Sequence, residues 1–264
     1  TLPIENRKSI KRMAVSNDGR FVVAVDRDGH ALFMNLKRQV LLQRIHFKRK
    51  VHAIRFSPND KYFAITHGRG VQIWRTPSIL REFAPLTLHR NLAGHHDDTS
   101  CLDWSSDSRS IVMGSTDLTA RVYQGIHGKS MALTVLAGHR VQLVGVFFSE
   151  DGMNIYTVTE DGAIFTWEYI RTEASQDAEE HSDSEDSAAE NNEEDDENDA
   201  EETKQHDAMR RSNVLQPRKK KGEWILKTRE FLWENRVEVT SAAFNKRTSL
   251  LVVGFSNGVF GLYE

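Results

Sequence analysis

Short segments in which apolar and polar residues alternate recur along the chain, and each is followed by a small polar residue. We take that polar residue as the anchor of a repeating unit, which gives five anchors: Ser16, Ser57, Ser105, Ser149 and Asn245. The intervals between successive anchors are 41, 48, 44 and 96 residues. Such alternation is typical of a β-strand with one buried face. The pattern therefore predicts a repeated all-β unit, with a long insertion in the last interval.

The five units share one internal spacing. Thirteen residues after the anchor stands a glycine in every unit except the third, which has Leu118 there. Asp-Gly and Asn-Gly pairs at this place are strong hairpin signals, because glycine accepts the positive φ of a tight turn. The strand that follows ends in an aromatic residue 17 or 18 positions after the anchor in each unit: Phe33, Trp74, Tyr123, Trp167 and Tyr263. With a more variable fourth strand, a period of about 44 residues predicts a four-stranded propeller blade.

The last interval is longer than one such period by about 52 residues, which fits an insertion in a connecting loop. We predict blades one to four in residues 1–170, a loop insertion in residues 171–222 and the fifth blade of the same propeller in residues 223–264. Since no strand follows the aromatic residue of the fifth unit, the five blades are expected to form an incomplete ring. The chain begins with Thr1, and we expect it to be an excerpt of a longer protein.

Charge is distributed unevenly, although the net charge of the chain is only −3. Residues 173–207 contain 17 acidic residues and one lysine, a net charge of −16. The rest of the chain contains 34 basic and 21 acidic residues, a net charge of +13. A basic body is typical of proteins that bind nucleic acid or acidic partners. The alternative is an ordinary solvated surface with a solubilising loop.

Residues 182–197 contain no aromatic or β-branched residue, so we predict that this tract is disordered. Ser182 and Ser184 have acidic neighbours and are predicted phosphorylation sites. Short basic runs are predicted to contact RNA phosphates or to act in nuclear targeting: Lys48, Arg49, Lys50, Arg218, Lys219, Lys220 and Lys221. The alternative for the last four is that the acidic tract folds back on them.

Composition and motifs limit the classes of function. A single cysteine, Cys101, excludes an internal disulfide, favours a reducing compartment, and is expected to be buried and unreactive. No apolar run approaches the roughly 20 residues that cross a bilayer, and no signal-peptide pattern opens the chain. We therefore expect a soluble, intracellular protein without a membrane partner.

Two motifs that suggest chemistry fit structural roles better. Residues 125–130 resemble a phosphate-binding loop, but two residues separate the glycines where that loop needs four, which predicts a turn. Residues 95–98, His-His-Asp-Asp, contain metal-ligand types, yet His95 has a place in the repeat and no second ligand cluster is visible. We expect no catalytic residue, no cofactor and no metal site.

Two Gly-His pairs, Gly94-His95 and Gly138-His139, stand eleven residues before their anchors. This arrangement resembles the WD-repeat family, whose blades carry a hydrogen-bonded network of His, Ser or Thr, Asp and Trp. The resemblance implies a complete network in the fourth unit and a partial one in the third: His139, Thr159, Asp161 and Trp167, then His95, Ser115, Asp117 and Tyr123. The predicted fold class is an all-β WD-repeat β-propeller of about five readable blades, with a disordered acidic loop insertion.

Longer stretches resemble one family in this group. Six segments are similar in order and spacing to the first propeller of the periodic tryptophan protein 2 family, which also has an acidic insertion here: residues 45–48, 51–58, 81–83, 101–104, 107–109 and 249–255. The resemblance implies a non-enzymatic scaffold of the nucleolar small-subunit processome that supports early processing of pre-ribosomal RNA toward 18S ribosomal RNA. It also implies a hetero-oligomer in the nucleus and nucleolus. The implied partners are other WD-repeat subunits of the UTP-B subcomplex, pre-ribosomal RNA and, as a further candidate, U3 small nucleolar RNA.

Two other classes of function stay open on the residues alone. A scaffold of a cytosolic coat or trafficking complex shares the propeller, but it gains nothing from a basic body and an acidic–basic loop. A propeller enzyme requires carboxylates or histidines that converge on the central channel, and a loss of activity on changing His139 or Asp161 without unfolding would support it.

Overall fold

The computed structural model describes residues 8–78, 81–128, 131–170, 222–232 and 237–264. These residues form five antiparallel sheets, four with four strands and one with three. In each sheet every strand pairs with the next strand along the chain, which is the meander of a propeller blade. The prediction of an all-β propeller with five blades is confirmed. Within the described residues no helix is long and apolar enough to cross a membrane.

The strands follow the predicted units. The first blade comprises β1 (Ile10–Val15), β2 (Phe21–Asp26), β3 (His30–Asn35) and β4 (Val40–His46). The second comprises β5 (Ile54–Phe56), β6 (Tyr62–Thr66), β7 (Gly70–Arg75) and β8 (Thr87–Ala93). The third comprises β9 (Thr99–Trp104), β10 (Ser110–Ser115), β11 (Ala120–Gln124) and β12 (Ala132–Leu136). The fourth comprises β13 (Leu143–Phe148), β14 (Asn154–Thr159), β15 (Ala163–Ile170) and β16 (Glu223–Phe231), and the fifth β17 (Val239–Asn245), β18 (Leu250–Phe255) and β19 (Phe260–Tyr263).

The structure corrects the predicted boundary of the fifth blade. β16 lies next to β15, so residues 223–231 form the outer strand of the fourth blade rather than the start of the fifth. The reason is Trp224, whose buried ring packs beside Phe148 and Tyr169 at centroid distances of 6.2 and 5.2 Å. The insertion therefore separates two strands of one blade. Residues 171–221 lie outside the described residues, and their predicted disorder stays a prediction.

The anchor residues organise the turn between the first two strands of a blade. Ser16 Oγ donates to Asp18 Oδ1 at 2.6 Å and accepts the N–H of Phe21 at 2.8 Å. The same carboxylate accepts the N–H of Arg20 at 2.9 Å. Blades two to four repeat this arrangement, with the amide oxygen of Asn59 in place of the carboxylate in blade two. Since each turn satisfies its own buried polar groups, the regular spacing of the anchors has a physical cause.

Successive blades pack through their first strands. β1 contacts β5, β5 contacts β9, β9 contacts β13 and β13 contacts β17. Within the described residues, β17 and β1 do not pack against each other in this way. Consistent with this gap, β1 leaves the Met13 side chain 65% exposed. The described blades thus have an uncovered first strand, as an incomplete ring requires.

Candidate functional site

The fourth blade contains a buried hydrogen-bonded network, but one of its members differs from the prediction. His139 Nδ1 donates to the carbonyl oxygen of Leu118 at 3.1 Å. Since this bond places the proton on Nδ1, Nε2 is an acceptor and receives the hydroxyl of Thr157 at 2.8 Å. Trp167 Nε1 in turn donates to the same hydroxyl oxygen at 3.3 Å. The network therefore runs from Trp167 through Thr157 to a neutral His139, with each of these polar atoms satisfied.

The prediction that Thr159 and Asp161 belong to this network is wrong. The Thr159 hydroxyl oxygen lies 2.6 Å from Asp161 Oδ1 and 2.9 Å from the carbonyl oxygen of Ala163, and its one proton is shared between these two acceptors. Both contacts stay within the turn between β14 and β15. The reason is position along the strand, because Thr159 ends β14 beside the turn, whereas Thr157 lies two positions earlier and meets His139. Asp161 acts on His139 only as a nearby charge.

The third blade has a different arrangement. His95 Nδ1 and Asp117 Oδ2 lie 2.9 Å apart, so here the predicted contact between His and Asp is made. Ser115 bonds instead to the carbonyls of residues 97 and 98, and the Tyr123 hydroxyl donates to the carbonyl of Ala93 at 2.8 Å. Within the described part of the chain, Nε2 of His95 is buried without a hydrogen-bond partner of normal geometry, although the backbone of Met113 is close enough to raise the pKa of this histidine. Met113 occupies the strand position that Thr157 has in the fourth blade.

Burial sets the ionisation of this network. Desolvation lowers the pKa of His95 and of His139 below the usual 6.5. Desolvation would raise the pKa of the Asp117 carboxyl, but hydrogen bonds from Thr119, the His96 N–H and His95 outweigh it and lower this pKa to about 2. At neutral pH both histidines are therefore neutral. These polar groups are used inside the blades, which is a structural role.

The predicted basic contact Lys48–Lys50 lies on a loop that is held between two blades. This loop, residues 47–53, joins β4 to β5 and is called the basic loop below. The Phe47 N–H donates to the carbonyl of Gly29 at 2.9 Å, and His67 Nε2 donates to the carbonyl of Phe47 at 2.9 Å. A Cβ on Gly29 would stand 2.4 Å from the carbonyl oxygen of Arg49, and Gly29 has φ of 90°. A glycine is therefore required for this approach.

The surface around the basic loop is cationic. Lys48, Arg49 and Lys50 are exposed, and so are Arg27 and Arg69 in the two turns that flank the loop. The carboxylates nearby are already engaged: Asp28 pairs with Lys8, and buried Asp26 accepts the backbone N–H groups of residues 28 and 30. Lysine and arginine side chains presented in this way can bind phosphate groups without reading a base sequence.

Other predicted positions have different outcomes. Arg218, Lys219, Lys220, Lys221, Ser182 and Ser184 lie outside the described residues. The thiol of Cys101 is buried, and desolvation raises its pKa to about 11, as expected for an unreactive cysteine. Residues 125–128 form a turn in which the Gly128 N–H donates to the carbonyl of Gly125 at 3.0 Å.

Sequence reasoning missed two residues that form buried or half-buried polar contacts between strands. Thr157 carries a signal, because it is buried in β14 and lies diagonal to Trp167 across the β14–β15 pair, where its direct partner is Phe165. Lys246 carries no such signal in the sequence. It is half-buried, its Nζ lies 2.9 Å from Asp103 Oδ2, and it donates to the carbonyl of Trp104. Its partners are more than 140 positions away, and no local pattern reveals such a contact.

Comparison with known proteins agrees with the repeat architecture. The model of the WD domain, G-beta repeat, matches residues 86–124, which cover β8 to β11. A periodic tryptophan protein 2 homolog of Schizosaccharomyces pombe is 38% identical over all of this chain and 27% of its own length. Periodic tryptophan protein 2 of Saccharomyces cerevisiae is 37% identical over 26% of its length, and that of Arabidopsis thaliana is 34% identical over 32% of its length; both similarities span this whole chain.

The blades, their anchored turns and the matched repeat define the chain as a WD-repeat β-propeller. The chain spans about a quarter to a third of the length of these relatives. Over that segment it belongs to the periodic tryptophan protein 2 family.

Proposed function

We propose that this propeller segment acts as a non-enzymatic scaffold in the nucleolar small-subunit processome. In this role it binds other WD-repeat subunits of the UTP-B subcomplex and supports early processing of pre-ribosomal RNA toward 18S ribosomal RNA. The observation that carries the proposal is the similarity to periodic tryptophan protein 2 over the whole chain. The internal use of His139 and His95 supports a scaffold over an enzyme, because both ring nitrogens of His139 are hydrogen-bonded and both histidines are buried away from any substrate.

The basic loop is the surface that we assign to RNA in this scaffold. Its three cations stand on a backbone that is fixed by hydrogen bonds to both neighbouring turns. A fixed loop backbone loses little loop entropy when its side chains bind a phosphate backbone. The interaction is expected to depend on salt rather than on base sequence. Pre-ribosomal RNA is the proposed ligand, with U3 small nucleolar RNA as a second candidate.

Sedimentation tests the scaffold proposal directly. Native full-length protein should travel with precursor ribosomal particles in a gradient and should return to the light fractions after ribonuclease treatment. Sedimentation with membrane coats, or only as free protein, would contradict the proposal and favour a trafficking scaffold.

A charge variant tests the RNA surface. Replacing Lys48, Arg49 and Lys50 together by alanine should weaken binding to single-stranded RNA and lower the salt dependence of log K by about 0.7 for each phosphate that is no longer neutralised. A matched control removes the same charge from other exposed positions: Arg109, Arg140 and Arg247. If both triple variants bind RNA equally weakly, the attraction is a property of the whole basic body and the basic loop is not the binding surface.

A further inference from the structure

A phenylalanine is displayed on the surface of the second blade. Phe83 lies in the turn of residues 81–84, between β7 and β8, and is 70% exposed. A phenylalanine so exposed gains almost nothing for folding, because its apolar area stays in water. Single exposed apolar residues are common, so exposure alone carries no conclusion. The support beneath Phe83 is what distinguishes it.

The turn that presents Phe83 is anchored by a buried carboxylate. Glu82 is only 6% exposed. It accepts Asn35 Nδ2 at 2.9 Å and Arg38 Nη1 at 3.1 Å, both from the first blade. After the turn, the N–H of buried Leu86 donates to Gln43 Oε1 at 3.0 Å. These contacts between blades fix the turn in place, so Phe83 is presented on a rigid support.

Three exposed cations lie in the turn that carries Phe83 or in the turn that contacts it. Arg81 precedes the buried carboxylate in the turn, and Arg38 and Lys37 lie in the β3–β4 turn that contacts it; all three are exposed. Each carboxylate oxygen of Glu82 already accepts a hydrogen bond from one of its two partners. Asp18, which acts on Lys37, already pairs with Arg20 at 2.8 Å. The described residues of these two turns thus combine an exposed aromatic side chain with an excess of positive charge.

We propose that Phe83 and these cations form a docking site for another protein, one that offers an apolar pocket bordered by aspartate or glutamate. Aromatic and arginine side chains are the residues enriched where most of the binding energy of a protein interface lies. Rigid presentation favours such a role, because less entropy is lost on binding. This site does not depend on the proposed ribosomal function.

The features of the turn favour a protein over single-stranded RNA. RNA is bound by successive aromatic side chains on which several bases stack. The described neighbours of Phe83 in the turn are Arg81, Glu82, Ala84 and Pro85, none of them aromatic. One protruding ring beside small apolar residues fits a pocket better than it fits a row of bases.

Photo-crosslinking in the cell tests the proposal. Benzoylphenylalanine is placed at position 83 of the full-length protein, and the crosslinked peptides are sequenced. We expect crosslinks concentrated in one segment of one protein, with aliphatic residues and at least two carboxylates. Binding of that purified protein should weaken at least about tenfold for Phe83→Ala. The Arg81→Glu variant should also lose binding and should recover it when a carboxylate of the crosslinked segment is changed to arginine.

Phe231 provides the matched control, since it is 60% exposed at a different place in the fourth blade. Phe231→Ala should change the affinity less than twofold, and Phe83→Ala should leave the melting temperature unchanged. Crosslinks to RNA, to the same chain only, or as scattered as those from position 231 would overturn the proposal. So would an affinity that Phe83→Ala leaves within twofold of the original.

Discussion

Thr157→Val removes one hydroxyl from the centre of the fourth-blade network and keeps the shape of the side chain. In the native blade this hydroxyl donates to His139 Nε2 at 2.8 Å and accepts Trp167 Nε1–H at 3.3 Å. All three residues are buried. Leaving one buried polar group unsatisfied costs about 1–3 kcal/mol. With two groups stranded and partial relaxation of the strand, we expect a loss of about 2–4 kcal/mol.

The assay must report on one blade, because unfolding of a large propeller does not reduce to one equilibrium. Hydrogen exchange of peptides from β13 to β15 in the full-length protein gives the local free energy of opening. Thr157→Val should raise exchange in these peptides and leave those of β2 and β3 unchanged. The first blade is thus an internal reference in the same sample.

Asp161→Ala is the control that separates loss of the buried network from loss of a turn contact. Asp161 is exposed, and its side-chain hydrogen bonds within the described residues are with the Thr159 hydroxyl and, at 3.4 Å, with the N–H of Ala163. Removing such a turn interaction costs about 0.5–1 kcal/mol. If Asp161→Ala opens the blade as much as Thr157→Val does, the hydroxyl is not the centre of the network. A cost below about 0.5 kcal/mol for Thr157→Val would refute the reasoning itself.

Three further predictions concern other parts of the molecule. Because burial lowers the pKa of His95 and His139 below 6.5, the unfolded chain binds more protons, and the local free energy of opening of blades three and four should fall as pH falls below 6.5. Exchange rates divided by the intrinsic rate at each pH measure this free energy, and a value that stays constant between pH 7 and 5 would contradict the prediction. Lys246→Met should destabilise the protein by about 1–2 kcal/mol, because it leaves Asp103 without its partner, and the double variant with Asp103→Asn should recover part of this loss. Equal destabilisation in the single and double variants would contradict the pairing. Replacing residues 173–207 by a Gly/Ser linker should leave the melting temperature unchanged and strengthen RNA binding most below about 0.3 M salt, whereas unfolding would show that the tract is structural.

The fold was predictable from sequence because its signals are local and repeated. A serine and an aspartate two positions apart form the same turn in blade after blade, so any one unit supports the others. The end of the fourth blade was not predictable in this way. β16 lies 53 positions after the end of the strand that it joins, Ile170, and an exposed strand such as Glu223–Phe231 carries little periodicity. Its only strong signal is Trp224, which the sequence alone could assign to either blade.

The candidate sites follow the same division. The network histidines were located from their spacing. Which threonine completes the network, Thr157 or Thr159, depends on which position of β14 the His139 ring reaches. Two threonines two positions apart point to the same side of a strand, so alternation cannot separate them. Their distance from the turn does: Thr159 ends the strand and bonds into the turn, while Thr157 lies deep enough to reach both His139 and Trp167.

The residues that define the repeat form their hydrogen bonds within the blades. The anchor serines bond to their own turns, His139 and Trp167 share one hydroxyl, and His95 faces Asp117. A surface built only from the repeat would therefore look alike in every blade and could not distinguish partners. Specific recognition has to come from segments that the repeat leaves free to vary. The basic loop and the turn that carries Phe83 are such segments: each leads to or from a fourth strand, each is anchored to a neighbouring blade, and each has a surface chemistry of its own. Two different ligands can thus be bound by one scaffold without any change in its blades.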